Sequence, residues 1–516
     1  MSDATAKRPG QVYLVGAGPG DPGLLTLRGA QVLARAHVVV HDHLAAPELL
    51  GLAPSESRKI YAGKVGSRHA LRQHEINALL VSEALSGRTV VRLKGGDPYI
   101  FGRGGEEALE LEKAGIPFEV VPGVTSAIAA ASAAGIPLTH RDLASQVGII
   151  TGHERPGKEA SAHDFGALAR LGTLAAVMGV ENLSGLCRSL VEAGKDPGTP
   201  AALIQWGATG RQRVAAATLG SLPGEAARAG LGAPALLVVG KVVGLRDRLC
   251  WFEKRPLFGK TVLVTRTREQ SGRLAASLRE LGANVLERPA IEIKPISPNP
   301  ALDAALGALS GYRYLILSSP NGASIFMKAL FGRGLDARAL HGLLIAVIGP
   351  GTAGALADFG LAADIMPSRF VAEGLVEAFS GLPAGRALLA RASEARDILV
   401  EGLRGLGFAL DVVPLYETAT ADWAGLDPSG GEGGGLGDGD FLGGVDLATL
   451  TSASTARGLA EHVPADRRAS LPVVSIGPVT SMAAIALGFK VAREARISTI
   501  EGLIEAARDF LAPVHP

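Results

Sequence analysis

The C-terminal half of the chain contains an internal repeat, and a repeat fixes the architecture more tightly than composition does. Residues 262–292 align without gaps to residues 387–417. The matched pairs are Arg266 with Arg391, Gly282 with Gly407, Pro289 with Pro414 and Glu292 with Glu417. A second pair, IGPGT at 348–352 and IGPVT at 476–480, reaches an EGL triplet at the same distance in both copies. Agreement of this kind indicates a duplication, which predicts two similar lobes facing one another across a cleft.

Short β-branched runs alternate with helical patterns rich in Ala and Leu along the whole sequence. This alternation predicts an α/β fold with largely parallel sheets. With 516 residues, the chain is long enough for two or more domains. A charged stretch around Pro256 is followed by a new apolar strand, and this change predicts a domain boundary. We therefore expect a tail at 1–10, a first domain at 11–252, a linker at 253–258 and a second domain at 259–516. The glycine-rich stretch 425–444 is predicted to be a flexible loop, because its contacts would not offset the conformational entropy that ordering it costs.

Charge and cysteine usage exclude several classes of function. The net charge is +1, so the chain has no broad basic face for nucleic acid, and an acidic substrate would need local Arg, Lys and backbone amides. Cys187 and Cys250 are too far apart in sequence for a disulfide framework or a recognisable metal site, and we expect no metal. No apolar run reaches the length of a membrane span, so we expect a cytoplasmic protein without a membrane partner.

The stretch LVGAGPGDPGLLT, residues 14–26, raises the question of a dinucleotide site. A glycine-rich turn after an apolar strand suits a pyrophosphate, and Asp42 ends a second apolar run where a ribose-binding acid would fall. Two residues argue against this interpretation. Pro19 lacks the N–H that such a loop presents to phosphate, and Asp21 places a negative charge where the pyrophosphate would lie. An NAD-linked oxidoreductase therefore stays the weaker alternative.

Further along, VVRLKGGDPYIFGRGGEE at 90–107 places Asp97 at the carboxyl end of a strand, after two glycines that permit close backbone approach. Thr125 and Ser126 then open a helix of small residues. Together with GAGPGDPGLLTLRG, YAGKVGSRHALRQHEI and PAALIQWGATGRQRV, this series strongly resembles uroporphyrinogen-III C-methyltransferases over residues 11–252. The resemblance implies a tetrapyrrole-methylase fold of two α/β domains with a cleft between them, and a homodimer formed through this half.

The same resemblance implies S-adenosyl-L-methionine as methyl donor, which leaves as S-adenosyl-L-homocysteine. It places the donor site at Pro19, Gly95, Gly96, Asp97, Ile100, Thr125, Ser126, Met178 and Gly207. These residue types suit a sulfonium that carries an amino acid and a ribose, because they supply a carboxylate, backbone groups and a partly apolar wall. Asp42 and Lys64 correspond to the acid and base proposed in that family.

The C-terminal half, residues 259–516, resembles uroporphyrinogen-III synthases through shorter motifs: Thr265 with Arg266, SSPNG, IGPGT, YET at 416–418, LTSAS and IGPVT. The resemblance implies a two-lobed α/β fold, with one lobe from about 259–293 with 418–516 and the other from about 294–417. It implies closure of hydroxymethylbilane to uroporphyrinogen III. The residues expected to grip the substrate's carboxylate arms are Arg266, Ser319, Thr352, Ser452 and Thr480. Tyr416 is expected to assist departure of the hydroxyl.

The two resemblances fit one another, because the product of one half is the substrate of the other. The sequence therefore predicts a bifunctional enzyme that makes uroporphyrinogen III and methylates it at C2 and C7 to precorrin-2. It leaves open whether the product feeds cobalamin or sirohaem. A second alternative also stays open, in which the C-terminal half is a catalytically silent two-lobed ligand-binding module attached to a methyltransferase.

Overall fold

The computed structural model describes residues 9–63, 71–152, 163–394, 397–423 and 441–512. Within these residues the chain forms four five-stranded sheets, two in each half. In the same parts of the chain, every helix is too short or too polar to cross a membrane. Of the predicted glycine-rich loop, residues 425–440 lie outside the described residues, and Phe441–Gly444 forms a 3-10 helix.

The first sheet is entirely parallel, with the strand order β3-β2-β4-β1-β5. Its elements are β1 (Val12–Gly16), α1 (Leu27–Leu33), β2 (Val38–His41), β3 (Arg58–Tyr61), α2 (Gln73–Leu85), β4 (Val90–Lys94), α3 (Gly104–Lys113) and β5 (Phe118–Val121). Val15 and Leu93 pack in a core on one face, and Leu14 and Val90 pack in a core on the other. Burial on both faces explains why these strands are continuous apolar runs.

The second sheet is mixed, with the order β6-β7-β10-β8-β9 and only β6 and β7 parallel. Its strands are β6 (Val147–Thr151), β7 (Thr173–Val177), β8 (Pro200–Gln205), β9 (Arg213–Thr218) and β10 (Ala235–Gly240). The helices of this region are α4 (Ser126–Ala133), α5 (Phe165–Ala169), α6 (Leu183–Glu192), α7 (Leu222–Arg228) and α8 (Arg246–Leu249). Helix α4 packs on the sheet through Ala127 and Ala130, which contact the core around Val177 and Ile204. The first sheet's last loop therefore leads directly into a helix of the second domain.

The third sheet is parallel, with the order β12-β11-β18-β19-β20. Its strands are β11 (Thr261–Val264), β12 (Asn284–Glu287), β18 (Leu447–Leu450), β19 (Pro472–Ser475) and β20 (Lys490–Glu494). Its helices are α9 (Arg268–Glu280), α15 (Ala453–His462), α16 (Ala465–Arg468), α17 (Pro478–Ala486) and α18 (Ile500–Leu511). We call this unit lobe one.

The fourth sheet has the order β13-β17-β16-β14-β15. Its strands are β13 (Ile291–Pro295), β14 (Tyr314–Leu317), β15 (Leu344–Val347), β16 (Arg386–Ala392) and β17 (Ala409–Thr420). Its helices are α10 (Pro300–Gly307), α11 (Pro320–Gly332), α12 (Pro350–Ala357), α13 (Ala372–Phe379) and α14 (Ile398–Gly405). We call this unit lobe two.

The two copies of the repeat form the same local structure. The first copy folds as β11-α9-β12 and the second as β16-α14-β17, each a pair of parallel strands joined by a helix. The α/β fold class is thereby confirmed. The chain passes between the lobes on β13 and β17, which pair antiparallel from Ile291 opposite Thr420 to Pro295 opposite Tyr416. The lobe boundaries predicted at 293–294 and 417–418 fall inside this two-stranded ribbon.

Candidate active sites

In the N-terminal half, the strands β1, β2, β4 and β5 are parallel, so the loops that follow them meet at one edge of the sheet. The loops after β1 and β4 are joined by backbone hydrogen bonds. The Gly96 N–H donates to the Gly18 carbonyl at 2.7 Å, and the Gly18 N–H donates to the Gly96 carbonyl at 3.2 Å. The predicted residues Pro19, Gly95 and Gly96 are therefore held together at this edge.

Glycine is required where the backbones at the ends of β1, β4 and β5 come into contact, at Gly16, Gly96 and Gly123. A Cβ at Gly123 would lie 2.3 Å from the Gly96 carbonyl oxygen and 2.6 Å from the Gly16 Cα. Gly96 has a φ of +68°, a conformation that favours glycine. Gly16 and Gly123 were not predicted from the sequence, although Gly123 stands in the VPGVT motif that leads to Thr125.

Asp97 ties the loop after β4 to the loop after β5. Its Oδ1 accepts from the Tyr99 N–H at 2.8 Å, and its Oδ2 accepts from the Gly123 N–H at 3.0 Å. The carboxylate thus orders the two loops that converge here, in addition to any contact with a ligand.

Asp42 lies beside these glycines. Its carboxylate accepts from the Gly95 N–H at 3.2 Å and the Leu44 N–H at 3.1 Å, and its Oδ2 lies 3.6 Å from the Arg92 guanidinium. The side chain is 27% exposed, so the oriented carboxylate stays accessible. Lys64, its predicted partner, lies outside the described residues.

A group of buried charges, which the sequence analysis missed, stands behind Asp42. The Lys94 ammonium donates to Glu107 at 2.8 Å, and the Arg92 guanidinium donates to the same carboxylate oxygen at 3.2 Å. The Glu107 side chain is fully buried, and its second oxygen has no hydrogen-bond partner among the residues that the structure describes. Burial lowers the pKa of Lys94, an effect that the Arg92 charge adds to and Glu107 opposes. The sequence feature that could have indicated this group is the pair Arg92 and Lys94, two basic residues that face the same side of the otherwise apolar strand β4.

Helix α4 connects this edge to the second sheet. The Thr125 hydroxyl accepts from the Ala127 N–H at 3.4 Å and caps the helix. A Cβ at Gly96 would lie 3.8 Å from the Thr125 Cα and 3.9 Å from the Ser126 nitrogen. The start of α4 is therefore in contact with the glycine cluster.

The loop after β8 closes the cleft from the second sheet. A Cβ at Gly207 would lie 2.2 Å from the Ala130 Cβ of α4, and one at Gly20 would lie 3.3 Å from the Thr209 Cγ2. Trp206 and Ala208 on either side of Gly207 have φ values of +50° and +64°, which cost free energy in non-glycine residues. This strained turn was not predicted, and the QWGATG motif was its only signal.

Two predicted residues supply exposed apolar side chains at the edges of the two sheets. Ile100 is 42% exposed in the loop after β4, and Met178 is 53% exposed directly after β7. Met178 also has a φ of +54°, which marks it as a strained position rather than a core filler. Both side chains suit the apolar wall expected for the donor.

The glycine-rich loop after β1 does not have the geometry of a dinucleotide cradle. The Gly18 N–H is used in the pairing with Gly96, and Asp21 caps the short 3-10 helix Pro22–Leu24 by accepting from the Gly23 N–H at 2.8 Å. Helix α1 begins only at Leu27, with Thr26 as its cap. A pyrophosphate would therefore find the Gly18 amide already bonded to Gly96 and no α-helix N-terminus directly behind the loop.

In the C-terminal half, lobe two brings two predicted residues into contact. The Tyr416 and Ser319 hydroxyls are 2.8 Å apart, although 97 residues separate them in sequence. Ser319 also caps α11, where its hydroxyl accepts from the Gly322 N–H at 3.0 Å. Tyr416 is 5% exposed, and burial raises the pKa of its phenol while the bond to Ser319 opposes that effect.

The remaining predicted hydroxyls occupy equivalent places at strand ends. Ser452 caps α15 in a capping box with Thr455. Thr352 and Thr480 are buried in the first turns of α12 and α17, where their N–H groups donate to Gly349 and Gly477 at 3.1 and 3.0 Å. Ser452 and Thr480 therefore belong to lobe one, whereas Ser319 and Thr352 belong to lobe two.

Arg266 follows the end of β11 in lobe one, one residue after Thr265, whose hydroxyl donates to the Thr449 carbonyl at 2.6 Å. Burial lowers the pKa of the Arg266 guanidinium. In the parts of the chain that the structure describes, His, Cys, Asp and Glu form no group of three or more that could hold a metal ion. The Cys187 thiol is buried, and burial raises its pKa to about 11.

Two protein-family models match separate parts of the chain. The family model described as "Tetrapyrrole (Corrin/Porphyrin) Methylases" matches residues 11–223, and the one described as "Uroporphyrinogen-III synthase HemD" matches residues 272–505.

The chain is also similar to individual proteins. The "Porphyrin biosynthesis protein HemD" of Ruminiclostridium josui is 41% identical over 503 residues, which cover 96% of this chain and 97% of that protein. The "Uroporphyrinogen-III C-methyltransferase" of Bacillus subtilis is 44% identical over 338 residues, 65% of this chain and 69% of that protein. A crystal structure of uroporphyrin-III C-methyl transferase from Thermus thermophilus, complexed with S-adenyl homocysteine, is 42% identical and covers 46% of this chain and 100% of that chain, with a TM-score of 0.40.

Proposed function

Because the chain belongs to the family of porphyrin biosynthesis proteins that join a tetrapyrrole methylase to a uroporphyrinogen-III synthase, we propose that its halves catalyse consecutive reactions. The protein is a bifunctional enzyme of tetrapyrrole biosynthesis. The C-terminal half closes hydroxymethylbilane to uroporphyrinogen III, and the N-terminal half methylates that product at C2 and C7 to precorrin-2. The NAD-linked alternative is set aside.

For ring closure, the contact between Tyr416 and Ser319 supports a role for the phenol as proton donor. The C–O bond of the hydroxymethyl group breaks with its electron pair going to oxygen, and the Tyr416 proton completes the departing water. To give the type III isomer, the cation first bonds to the α-carbon of the last pyrrole ring that already carries a bridge, and the bond from that α-carbon to its old bridge carbon then breaks. The freed bridge carbon, now the cation, bonds to the unsubstituted α-carbon of the same ring, which inverts the ring and releases the pyrrole proton that restores the phenol. Arg266, Ser319 and Thr352 are proposed to bind carboxylate arms of the substrate, together with Ser452 and Thr480 from the facing lobe.

For methyl transfer, S-adenosylmethionine supplies an electrophilic methyl group on a sulfonium. The close-packed glycines at the end of β4 leave room for the donor to approach the backbone, and Asp97, Thr125 and Gly207 are proposed to bind it. Pro19, Gly95, Gly96 and Ser126 complete the polar side of the proposed site, and Ile100 and Met178 its apolar wall. Asp42 and Lys64 are proposed to move the proton that the methylated pyrrole must lose.

The observation that carries the methylase proposal is the convergence of the loops after β1, β4 and β8 on helix α4. The test is to incubate the full chain with hydroxymethylbilane and S-adenosylmethionine carrying a deuterated methyl group. Mass spectrometry should find a tetrapyrrole with two labelled methyl groups. An unmethylated product would contradict the proposal for the N-terminal half.

The same incubation without donor separates the second candidate from the first. An active C-terminal half gives uroporphyrinogen III, whereas a catalytically silent binding module gives only the type I isomer that forms spontaneously from hydroxymethylbilane. Chromatographic separation of the two isomers decides between them.

Homodimerisation through the N-terminal half and a cytoplasmic location are also proposals, based on the kinship with tetrapyrrole methylases. Light scattering on the purified protein should give about twice the chain mass of 52.8 kDa. A mass equal to one chain would contradict the dimer.

A further inference from the structure

The segment that joins the two halves is packed on both of them. Phe252 is buried against Ala129 and Ala133 of helix α4 and against Ala208 of the strained turn. Leu257, five residues later, is fully buried in the core of lobe one. The segment predicted as a linker is therefore anchored at one end to the candidate donor site and at the other end to the synthase half.

Hydrogen bonds fix this segment to the turn after β8. The Gln212 side chain accepts from the Ala208 N–H at 3.0 Å and donates to the Glu253 carboxylate at 2.9 Å. Glu253 is in turn paired with Arg246 at 2.7 Å. The orientation of the two halves is thus tied to the backbone next to Gly207.

The halves also touch directly at a surface that we call the junction, formed by Glu48 and Gly210 of the N-terminal half with Arg279, Asn284 and Glu287 of lobe one. The Arg279 guanidinium lies 2.5 Å from the Glu48 carboxylate and 2.8 Å from the Glu287 carboxylate, and all three side chains are less than a third exposed. A Cβ at Gly210 would lie 2.3 Å from the Asn284 nitrogen.

Both acids of the junction lie close to candidate site residues, Glu48 along the chain and Glu287 through its strand pairing. Glu48 belongs to the 3-10 helix Pro47–Leu52, which follows the loop that carries Asp42 and Leu44. Glu287 is the last residue of β12 and pairs with Val264, two residues before Arg266. Arg279 therefore joins the segment after Asp42 to the edge strand β12, whose last residue, Glu287, lies at the carboxyl edge of lobe one.

We propose that uroporphyrinogen III passes from the C-terminal half to the N-terminal half along the junction, without mixing with the free pool in solution. This inference rests on the proposed function and adds how the shared intermediate moves. The chemistry around the junction fits a polycarboxylate. Arg279 pairs with both acids and offsets one of their two negative charges. Further positive charge comes from Arg266 and Arg288, which follow the ends of β11 and β12, and from Arg211, whose guanidinium lies 3.9 Å from the Trp206 ring centre beside Gly210.

A rigid junction gives the intermediate a kinetic advantage over free molecules. While it stays bound at the junction, the intermediate meets the methylase site at an effective concentration of about millimolar, as for a group on a short flexible connection. A competing pool of about 10 μM would then capture only about one methylation in a hundred by the same estimate.

The test uses the full chain, ¹³C-labelled hydroxymethylbilane, unlabelled S-adenosylmethionine and an added pool of unlabelled uroporphyrinogen III. Mass spectrometry of early precorrin-2 compares its labelled fraction with that of the free uroporphyrinogen III. We expect the labelled fraction in precorrin-2 to exceed that of the free pool at least about tenfold, as the effective-concentration argument requires. Equal fractions would overturn the transfer proposal. They would leave the proposed function standing if hydroxymethylbilane and uroporphyrinogen III are each converted when supplied alone.

Two glycine variants locate the path. Gly210→Leu forces lobe one away from the turn, whereas Gly224→Leu places the same side chain where a Cβ meets nothing within 4 Å. We expect the label enrichment to fall to the pool value in the first variant and to persist in the second, with both single reactions retained. If Gly210→Leu does not fold, Arg279→Ala is used in its place. The control for Arg279→Ala is Arg338→Ala, which breaks an exposed ion pair with Asp336. Enrichment that survives the junction variant would overturn the proposed route.

Discussion

In the N-terminal half, glycine backbones at the ends of β1, β4 and β5 touch, and buried charges lie behind them. In the C-terminal half, hydroxyls cap helices at the strand ends of two separate lobes. The first arrangement is determined by close contacts between backbones at one edge of a single sheet. The second depends also on the distance between the lobes, which the β13–β17 ribbon sets.

The ribbon has its own anchors in lobe one. The Trp423 indole N–H donates to the Pro289 carbonyl at 2.6 Å, and the Trp423 ring stacks on His462 at 3.9 Å. Tyr416 lies at the other end of the ribbon, where β17 stops pairing with β16. One methyl group in the wrong place should therefore damage the proposed methyl-transfer site. A ring-closure site of this kind should tolerate loss of single hydroxyls other than Tyr416.

The largest effect is expected from the buried charges. Glu107→Ala leaves the Arg92 and Lys94 side chains buried without their shared carboxylate, which should lower the free energy of unfolding by about 3–5 kcal/mol. Glu225→Ala, which removes an exposed pair with Arg228, should cost about 0–1 kcal/mol. Urea unfolding followed by circular dichroism measures both. Equal losses would mean that the buried group does not stabilise the N-terminal half.

The glycine contacts are tested by Gly123→Ala. The new Cβ cannot fit 2.3 Å from the Gly96 carbonyl oxygen, and displacement of the loop by about 1 Å should slow methyl transfer by about 10²-fold. Gly105→Ala is the matched control, because a Cβ there meets nothing within 4 Å. Methylation of supplied uroporphyrinogen III and closure of hydroxymethylbilane are measured on the same preparations. Loss of both activities in Gly123→Ala would contradict the independence of the two sites.

The C-terminal counterpart is Tyr416→Phe, which should slow ring closure by about 10²-fold, the lower end of general-acid effects. Tyr312→Phe is the control, since that buried phenol bonds to Asp411 on the amino side of the sheet. The ratio of type III to type I isomer reports the outcome. Burial raises the pKa of the Tyr416 phenol above its ordinary value of 10.0, so the phenol is protonated below that pH. Its ability to donate a proton to the leaving hydroxyl is lost only as the pH rises further. An unaltered rate with pure type III product would assign Tyr416 to the core.

Asp97→Ala tests a side chain within the backbone-built site. We expect donor affinity to fall by about 1.5–3 kcal/mol, the value of a charge-assisted hydrogen bond, with ring closure intact. Asp142→Ala, at an exposed carboxylate of the same half, should leave the affinity unchanged. Calorimetric titration with S-adenosylhomocysteine gives the comparison. Unchanged affinity in Asp97→Ala would limit Asp97 to its bonds with the Tyr99 and Gly123 N–H groups.

The fold was predictable where the pattern is local. The repeat predicted paired lobes because β11-α9-β12 and β16-α14-β17 are each continuous in sequence. The ribbon was not predictable, since β13 pairs with residues about 120 positions further on and its alternation does not say which strand it joins.

The two candidate sites also differ in how much of each could be predicted from local sequence. The Gly96 carbonyl leaves no room for a side chain at Gly123, and the positive φ of Gly96 favours glycine there, so the N-terminal site leaves a motif in the sequence. A capping serine such as Ser452 is chosen by its own helix whether or not it meets a ligand, and so its role cannot be inferred from the sequence. The Arg92, Lys94 and Glu107 group was missed because its members meet only when α3 packs on β4.

The smallest effects should come from paired cap variants in the two lobes. Ser319→Ala and Ser452→Ala each remove a helix cap, which should lower stability by about 1 kcal/mol in both cases. Their kinetics should differ, because only Ser319 bonds to the Tyr416 hydroxyl. Ser319→Ala should lower kcat for ring closure about threefold, in line with one net hydrogen bond, whereas Ser452→Ala should raise KM by a similar factor. The same change in both constants for both variants would mean that the lobes contribute alike, and that the asymmetry needed for ring inversion lies in the substrate.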